Sequence, residues 1–580
     1  GVGNIGIGYH ALFTNSSTAQ TGMKWNIAIG RSAMGAAGSS HGAAHSNVAI
    51  GYYALQNIES GSRNVAIGGQ QGGGDGGTGE YLKNGDDNTF VGSKAGQGIN
   101  SGNIHSSQNV FIGAIAGAGQ NGVNYNVGVG YKALLFARGD YSVAVGYEAG
   151  DHATGSYNTF VGAQAGQGGT TSAPYSSGQN NVAVGYQALT GFTTGESNVA
   201  VGKEAGHDIT TGTGNTLVGN AAGDKITTAE YNTAIGAGAL GSQAADADGN
   251  IAIGDFAMGG VNNAASIENV VVGGYAGTGG TGQLVRSVII GKNALNSTGT
   301  ANLTGTVAIG YNAGTAINHA NAGGTTLVGY LAGSSITTGA GNAAFGHEAL
   351  KDVNGGWNLA VGNYAGHAYS SGLYSTFVGA KAGENLTSGN SGIYIGFNTA
   401  ASAVDVANEY VIGAGTSFSD GLTGGGTETI RIGVSTDYIT NDFGENATWT
   451  HSSDRRVKKD IKDNELGLEF ISKLKTRNFK KKAPSEYPPE FEQYNSETTE
   501  RKNPDRIHYG FVAQEVKEAM DSVGHSEFPV WKENPDGMQE LGETELITPL
   551  VKAVQELSSE NKQLKDELNE LKIFIKKKLG

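Results

Sequence analysis

Hydrophobic and polar positions divide the chain into two regimes. Up to about residue 440 one short unit recurs, N-x-A-[IV]-G-x-x-A-[GL]. Examples are NVAIGYYAL from Asn47, NTFVGSKAG from Asn88, NVAVGYQAL from Asn181 and NLAVGNYAG from Asn358. Aligned on its central Gly, the unit occurs 24 times between Gly8 and Gly433, most often 17 residues apart, within a range of 16 to 24. Apolar residues at its second and fourth positions alternate with small ones, the period of a short strand with one buried face. Position one is Asn in 16 copies and Ser or Thr in six, and Ala stands three residues after the Gly in 20. The recurrent Gly suits a corner where φ is positive or backbones approach closely. Asn at one recurring place can stack into a side-chain ladder, as amides do between cross-β layers. Small Ala lets the next layer or a neighbouring chain come close. A single unit cannot bury its own apolar face, so neighbours must stack. The pattern predicts a mainly β fold, a β-solenoid with one coil per repeat over 1–440, roughly 115 Å long at about 4.8 Å per coil. The last copies, at Gly396, Gly413 and Gly433, lack both the Asn and the Ala and mark a transition out of the array.

After Trp449 the periodicity changes. ELGLEFISKL (465–474) has helical spacing and TRNFKKK (476–482) reads as a strand. Residues 483–505, with Pro484, Pro488, Pro489 and Pro504, read as a loop. HYGFVAQEVKEAM (508–520) runs from strand into helix. From Ile547 heptads begin. Their a positions are Ile547, Val554, Asn561, Leu568 and Ile575, and their d positions are Leu550, Leu557, Leu564 and Leu571. This predicts a coiled coil. Asn561 in the seam would fix register at some cost in stability, and by itself leans towards two strands. The expected organisation is a repeat shaft over 1–440, a linker over 441–452, and a small α+β domain over 453–580 that ends in a coiled-coil helix.

Composition sharpens the division. The chain has 580 residues, 97 Gly, no Cys and a net charge of −15, of which −13 falls on the first 450 residues. An acidic array is a poor partner for nucleic acid, because phosphate contacts need Lys and Arg. No apolar run approaches the ~20 residues that span a bilayer, so membrane insertion is not expected. Without Cys there are neither disulfides nor thiolate sites, which fits an exterior protein stabilised by other means. The chain opens as GVGNIGIG, inside a repeat and without Met, so a preceding N-terminal part is expected.

The repeats resemble the heads of trimeric bacterial adhesins, whose NSVAIG-type motifs build a β-roll in a homotrimer. The resemblance covers about residues 1–440. The coils of those heads are shorter than 17 residues, so it leaves the coil path and handedness open. The tail carries SSDRRVKKDI, LEFISKLKTRNFKKK, HYGFVAQEV and ELITPLVKAVQEL in order. In this it resembles the intramolecular chaperone auto-processing domain found at the C-terminus of phage tail spikes such as the endosialidases, and of tail fibres. The resemblance implies a domain that trimerises, templates the folding of the preceding β-structure and cuts itself off before the Ser of an S-D-x-R-x-K motif. Carried onto this chain, the cut bond is Ser452–Ser453, Ser453 is the nucleophile and Lys458 the base. Asp454 and Arg456 match the motif's other fixed positions. A Ser hydroxyl is weak at neutral pH and needs a neighbouring base. A Lys serves as that base when burial or nearby cations depress its pKa. Arg455, Arg456 and Lys459 are close in sequence, and trimer assembly could add burial.

Other features carry less. Tyr follows the Gly in seven repeats (Tyr9, Tyr52, Tyr131, Tyr147, Tyr186, Tyr311 and Tyr330) and could stack on sugar rings or simply decorate the strand surface. Long intervals insert loops near 70–87 and 168–180, and loops on a rigid scaffold are where binding residues tend to sit. GGGDGGTG (72–79) resembles calcium-binding nonapeptides but occurs once, and His41 and His45 have only loose metal spacing, so no metal or cofactor is expected. The array shows no paired acids or triad, so turnover of a glycan is not expected. The expected protein is a homotrimeric phage tail fibre or tail spike in the virion tail. Its shaft would meet a host-surface receptor, a glycan or a surface protein, and its only peptidase activity would be the single cut on its own chain. A bacterial surface adhesin with the same processing tail and a glycan-degrading spike are the alternatives. A trimeric autotransporter should end in a membrane β-barrel segment, whereas this chain ends in a heptad helix.

Overall fold

The computed structural model describes residues 2–13, 22–35, 43–69, 76–98, 105–119, 122–136, 138–170, 175–242, 247–263, 265–443, 446–450, 453–501 and 504–580. It separates into two compact units, Gly1–His451 and Ser452–Gly580.

The first unit is a β-solenoid. Its main sheet has 26 strands. The last two, Asp437–Asp442 and Asn446–Thr450, are antiparallel, and the rest form a parallel ladder with one rung per sequence repeat. Through Ile393–Ile395 each rung of this ladder is three residues long. Registry is exact in repeat units: Val182, Ala183 and Val184 face Val199, Ala200 and Val201, which face Thr216, Leu217 and Val218. Part of the stretch read as a linker is therefore the end of the sheet, since Asn446–Thr450 is a strand.

Two features lock one coil to the next. The central Gly has φ near +135° (Gly185 +135°, Gly202 +138°), and a Cβ on Gly202 would stand 2.3 Å from the carbonyl oxygen of Gly219. Only Gly allows this approach. The Asn side chains form the expected ladder, fully buried from Asn26 onward. Asn198 Oδ1 accepts from the backbone N–H of Asn215 at 3.0 Å and from its Nδ2 at 3.0 Å. Asn215 Nδ2 also donates to the Ala229 carbonyl at 2.9 Å. Each Asn thus satisfies a strand and a loop that the parallel ladder leaves open. Where Ser replaces Asn the ladder continues more weakly, as in the 3.3 Å bond from Asn158 N–H to Ser142 Oγ.

The buried face of the strand is not the one its β-branched residues suggest. Position three points inward: Ala183, Ala200, Leu217 and Ala234 are fully buried. The larger residues at positions two and four point out, with Ile67, Ile112, Ile235 and Ile290 37–41% exposed. The reason is width. A coil this short holds one small inward side chain plus the residues of the following turn. Volume is balanced within and between coils. Phe90, Phe111, Phe160 and Phe377 each lie against a Gly four residues after the corner, and a Cβ on Gly166 would meet the Phe160 ring at 2.2 Å. Coils with Ala at the centre often carry Leu or Met there instead, as with Ala183 and Leu189 or Ala28 and Met34. This is the physical content of the [GL] alternation.

The side-chain ladder ends where Gly392 N–H meets Ser375 Oγ at 3.1 Å, and one coil on Glu409 stands in the Asn position, fully buried. Its carboxylate accepts from Tyr394 Oη (2.9 Å), Ser402 N–H (3.1 Å) and Gly426 N–H (2.8 Å). Burial, and then the carboxylate, push the Tyr394 hydroxyl pKa far up.

The second unit is α+β. Helices α1 (Leu468–Lys473), α2 (Ala513–Ser522) and α3 (Ile547–Leu579) follow the expected spacing. Arg477–Phe479 pairs antiparallel with His508–Gly510, and Trp531–Glu533 with Gln539–Leu541. Phe470, Val516, Met520 and Val530 form its core. The start of α3 packs there, with Pro549 and Ala553 buried, while its later turns are exposed. No helix among the described residues is long and apolar enough to cross a membrane.

If the Asn ladder carries stability, Asn198→Ala should lower the calorimetric unfolding midpoint. It leaves two buried donors of Asn215 without an acceptor, at about 1–3 kcal/mol each. Asn198→Ser should cost less, as the natural Ser rungs indicate. Equal midpoints for all three proteins would show the ladder to be passive.

Candidate functional site

The S-D-x-R-x-K segment opens the second unit. Asp454 is extended, Arg455–Val457 forms one turn of 3-10 helix, and Lys458 returns to extended backbone. Asp454 caps that turn: its Oδ1 accepts from the Arg456 backbone N–H at 2.8 Å, the usual way an Asx side chain starts a turn. The same carboxylate holds the Arg456 guanidinium, with Nε on Oδ1 at 3.0 Å and Nη2 on Oδ2 at 2.7 Å. These hydrogen bonds keep the Asp454 carboxyl below its ordinary pKa and raise that of Arg456. The turn closes through Lys458 N–H on the Arg455 carbonyl at 3.2 Å.

Because the turn reverses the chain, Lys458 comes back to Ser453. Its Nζ donates to Ser453 Oγ at 2.8 Å, within the reach a nucleophile and its base require. Both residues are exposed in the single chain. Asp454 and Arg456 are not part of this contact; they hold the turn that makes it. Ser452, the other side of the expected cut, lies outside the described residues.

Residues 453–525 match the protein family described as chaperone of endosialidase. The match begins at Ser453 itself. No curated protein matches the chain. A β-solenoid followed by a domain of this family fits a tail spike with a C-terminal chaperone. The family suggests homotrimer assembly and a phage virion component.

The tyrosine stripe lies outside the solenoid beside the corner, with Tyr147 about half exposed. Neighbouring rings stack where coils carry them in succession: Tyr131 on Tyr147 and Tyr311 on Tyr330, each at 5.5 Å between centroids. Column-wise alignment of the repeats reveals a second feature that reading along the chain misses, a row of polar side chains two residues after the Gly. Lys132 Nζ donates to Glu148 Oε1 at 3.3 Å, Gln164 Nε2 to Glu148 Oε2 at 3.3 Å, and Gln187 Nε2 to Gln164 Oε1 at 3.0 Å. His41, residues 70–75 and residues 171–174 lie outside the described residues, which removes parts of both insertion loops and half of GGGDGGTG.

If Ser453 and Lys458 cut the chain, Asp454→Ala should keep the unit folded yet slow the cut by about tenfold or more, since misplacing reacting groups by an ångström is worth up to ~100-fold. Fragment appearance on a denaturing gel measures it, and an unchanged rate would remove Asp454 from the positioning role.

Proposed function

We propose that this chain is a homotrimeric phage tail fibre or tail spike whose shaft attaches to a host surface and whose C-terminal domain registers three chains, assists their folding and cuts itself off between Ser452 and Ser453. The observation that carries the reading is the 2.8 Å contact of Ser453 with Lys458, at the first residue of the family match.

The cut is an acyl shift. Ser453 Oγ attacks the carbonyl carbon of Ser452 while Lys458 Nζ takes the hydroxyl proton. The peptide C–N bond breaks as the lysine returns that proton to the Ser453 amine. Ser452 is left as an ester on Oγ, and water hydrolyses it to a free carboxylate and a free hydroxyl. Lysine does this only when neutral, the form that burial favours. Exposure of both residues in one chain is therefore consistent with a site that becomes competent when neighbouring chains bury it. Cutting would then report correct assembly.

Two exposed apolar surfaces support trimerisation. The first is the outward Val and Ile stripe of the solenoid, which runs the length of the ladder; a continuous apolar surface of this kind marks an interaction site. The second is the heptad seam of α3, where Ile547, Val554, Leu564 and Leu571 are more than half exposed. A helix with such a seam seeks partners. The seam begins at an apolar cavity of about 330 Å³ lined by Ile471, Leu474, Phe511, Leu546, Ile547 and Leu550, so the surface a second chain would meet extends into the body of the domain.

Expressed protein should yield a tail fragment beginning at Ser453. Ser453→Ala and Lys458→Ala should each stay full length on a denaturing gel, and normal cutting in both would sink the dyad. Light scattering on the cut shaft should give three times the mass of one shaft chain, whereas a stable folded monomer would refute the assembly. Residues 1–452 made without the tail should aggregate, because strand edges waiting for registration associate wrongly. Equal yield of equally stable trimers would reduce the tail to a removable clamp.

A further inference from the structure

The tyrosine stripe contains one gap whose shape is filled elsewhere in the same molecule. Tyr9, Arg31 and Tyr52 occupy the position after the corner in three consecutive coils. The Arg31 guanidinium lies between the two rings, 5.7 Å from the Tyr9 centroid and 5.6 Å from that of Tyr52. The backbone fixes this arrangement: Ile7, Ile29 and Ile50 are in register, and Ser32 N–H donates to the Tyr9 carbonyl at 2.8 Å and Tyr53 N–H to that of Arg31 at 3.1 Å.

Tyr147, Ala163 and Tyr186 occupy the same position in three later consecutive coils. Val145, Val161 and Val184 are in register. Gln164 N–H donates to the Tyr147 carbonyl at 2.8 Å and Gln187 N–H to that of Ala163 at 3.0 Å. The two rings are therefore held apart by two coil spacings, as Tyr9 and Tyr52 are, but a methyl group stands where the guanidinium stood. Tyr147 and Tyr186 are each about half exposed. Among the described residues no ring lies against the face of Tyr147 that looks towards Ala163, since its stacking partner Tyr131 lies on the preceding coil.

We propose that Tyr147, Ala163 and Tyr186 form an open slot for a flat cationic group, the guanidinium of an arginine carried by a partner protein. Aromatic faces attract cations through the negative face of the ring. The Glu148 carboxylate adjoins the slot and is tied to its floor by Gln164. Burial opposes its charge, but hydrogen bonds from Gln164, Tyr147 and Lys132 outweigh this and keep it ionised. Lys132 is spent on the other oxygen of Glu148. The shaft as a whole is acidic, so a cation meets no general repulsion. The attachment reading decides only who presents the arginine; the slot itself is tested without a host.

Ligand-observed saturation-transfer NMR on the full chain with N-acetyl-arginine methylamide tests this directly. Wild type should bind it, in preference to N-acetyl-lysine methylamide and to methyl glucoside. Ala163→Arg should fill the slot from within and abolish the signal. Other coils place Arg, Lys and Tyr at this position, so the variant should fold, and an unchanged thermal melt checks this. Tyr186→Ala should weaken binding by roughly two- to fivefold, the share of one exposed cation–π face. Arg31→Ala should open a second slot and raise the signal. Equal signals from wild type and Ala163→Arg would overturn the slot, and preference for the glucoside would overturn its cationic ligand. Because these readouts use a small molecule and a folded chain, their failure is distinguishable from failure of host attachment, which adsorption assays read.

Discussion

Everything in the shaft depends on how closely one coil can approach the next. The stacked corner glycines bring carbonyl oxygen and α-carbon together at a distance no side chain tolerates, and this sets the solenoid's pitch at its corner. With the pitch fixed, the amide of each Asn falls where it can take a strand N–H from the following coil, and the peptide groups of the turns pair in the same parallel register. Residues after the corner then sit in straight columns. Aromatic stacking, the polar row through Glu148 and the Arg31 sandwich are consequences of that alignment rather than causes of it.

The narrow coil also explains why the apolar side chains are distributed as they are. With room inside for little more than Ala, or a Phe opposite a Gly, the Val and Ile residues that favour strands are turned outward. A solitary chain would carry that surface as a liability. Three chains facing one another would convert it into a second core, continuous along the ladder, with the α3 seam offering the same solution at the other end of the sequence. On this view folding and assembly of the shaft are one event.

Much of this was legible in the sequence. Gly recurring every 16 to 24 residues and Asn four residues before it sufficed for the solenoid and its ladder, because each has one physical use at such a place. The inward face was not legible from alternation alone. Hydrophobicity favours burying Val and Ile, and only the coil's inner width reverses the choice; the pairing of a central Phe with a later Gly held that information but needs the repeats aligned column by column. In the tail, the turn signal Asn534-Pro535-Asp536-Gly537 announces the hairpin between Trp531–Glu533 and Gln539–Leu541, a local cue obscured by the surrounding charge. Ser453 and Lys458 were visible as a motif. The part played by Asp454 was not, since it acts through the shape of a turn rather than by contact with either residue.

The polarity of the ladder bears on the finite length of the shaft. Each Asn gives its backbone N–H and one amide hydrogen to the Asn of the coil before it and the other amide hydrogen to a carbonyl further along the chain, so the ladder has a direction, two such arrays can join only head to tail, and a joint of that kind does not close on itself. Left open, parallel edges of this regularity invite endless filaments. Here the last parallel rung is covered by Asp437–Asp442 running the other way, with Asn446–Thr450 beyond it, and the amide that a further coil would need has already given way to Ser375, Gly392, Glu409 and Thr429 in successive coils. Head-to-tail growth needs both ends, so one blocked end is enough to forbid it. The proposed cut after Ser452 would leave this stopper on the shaft, and discarding the tail would therefore not expose a seed for fibre growth.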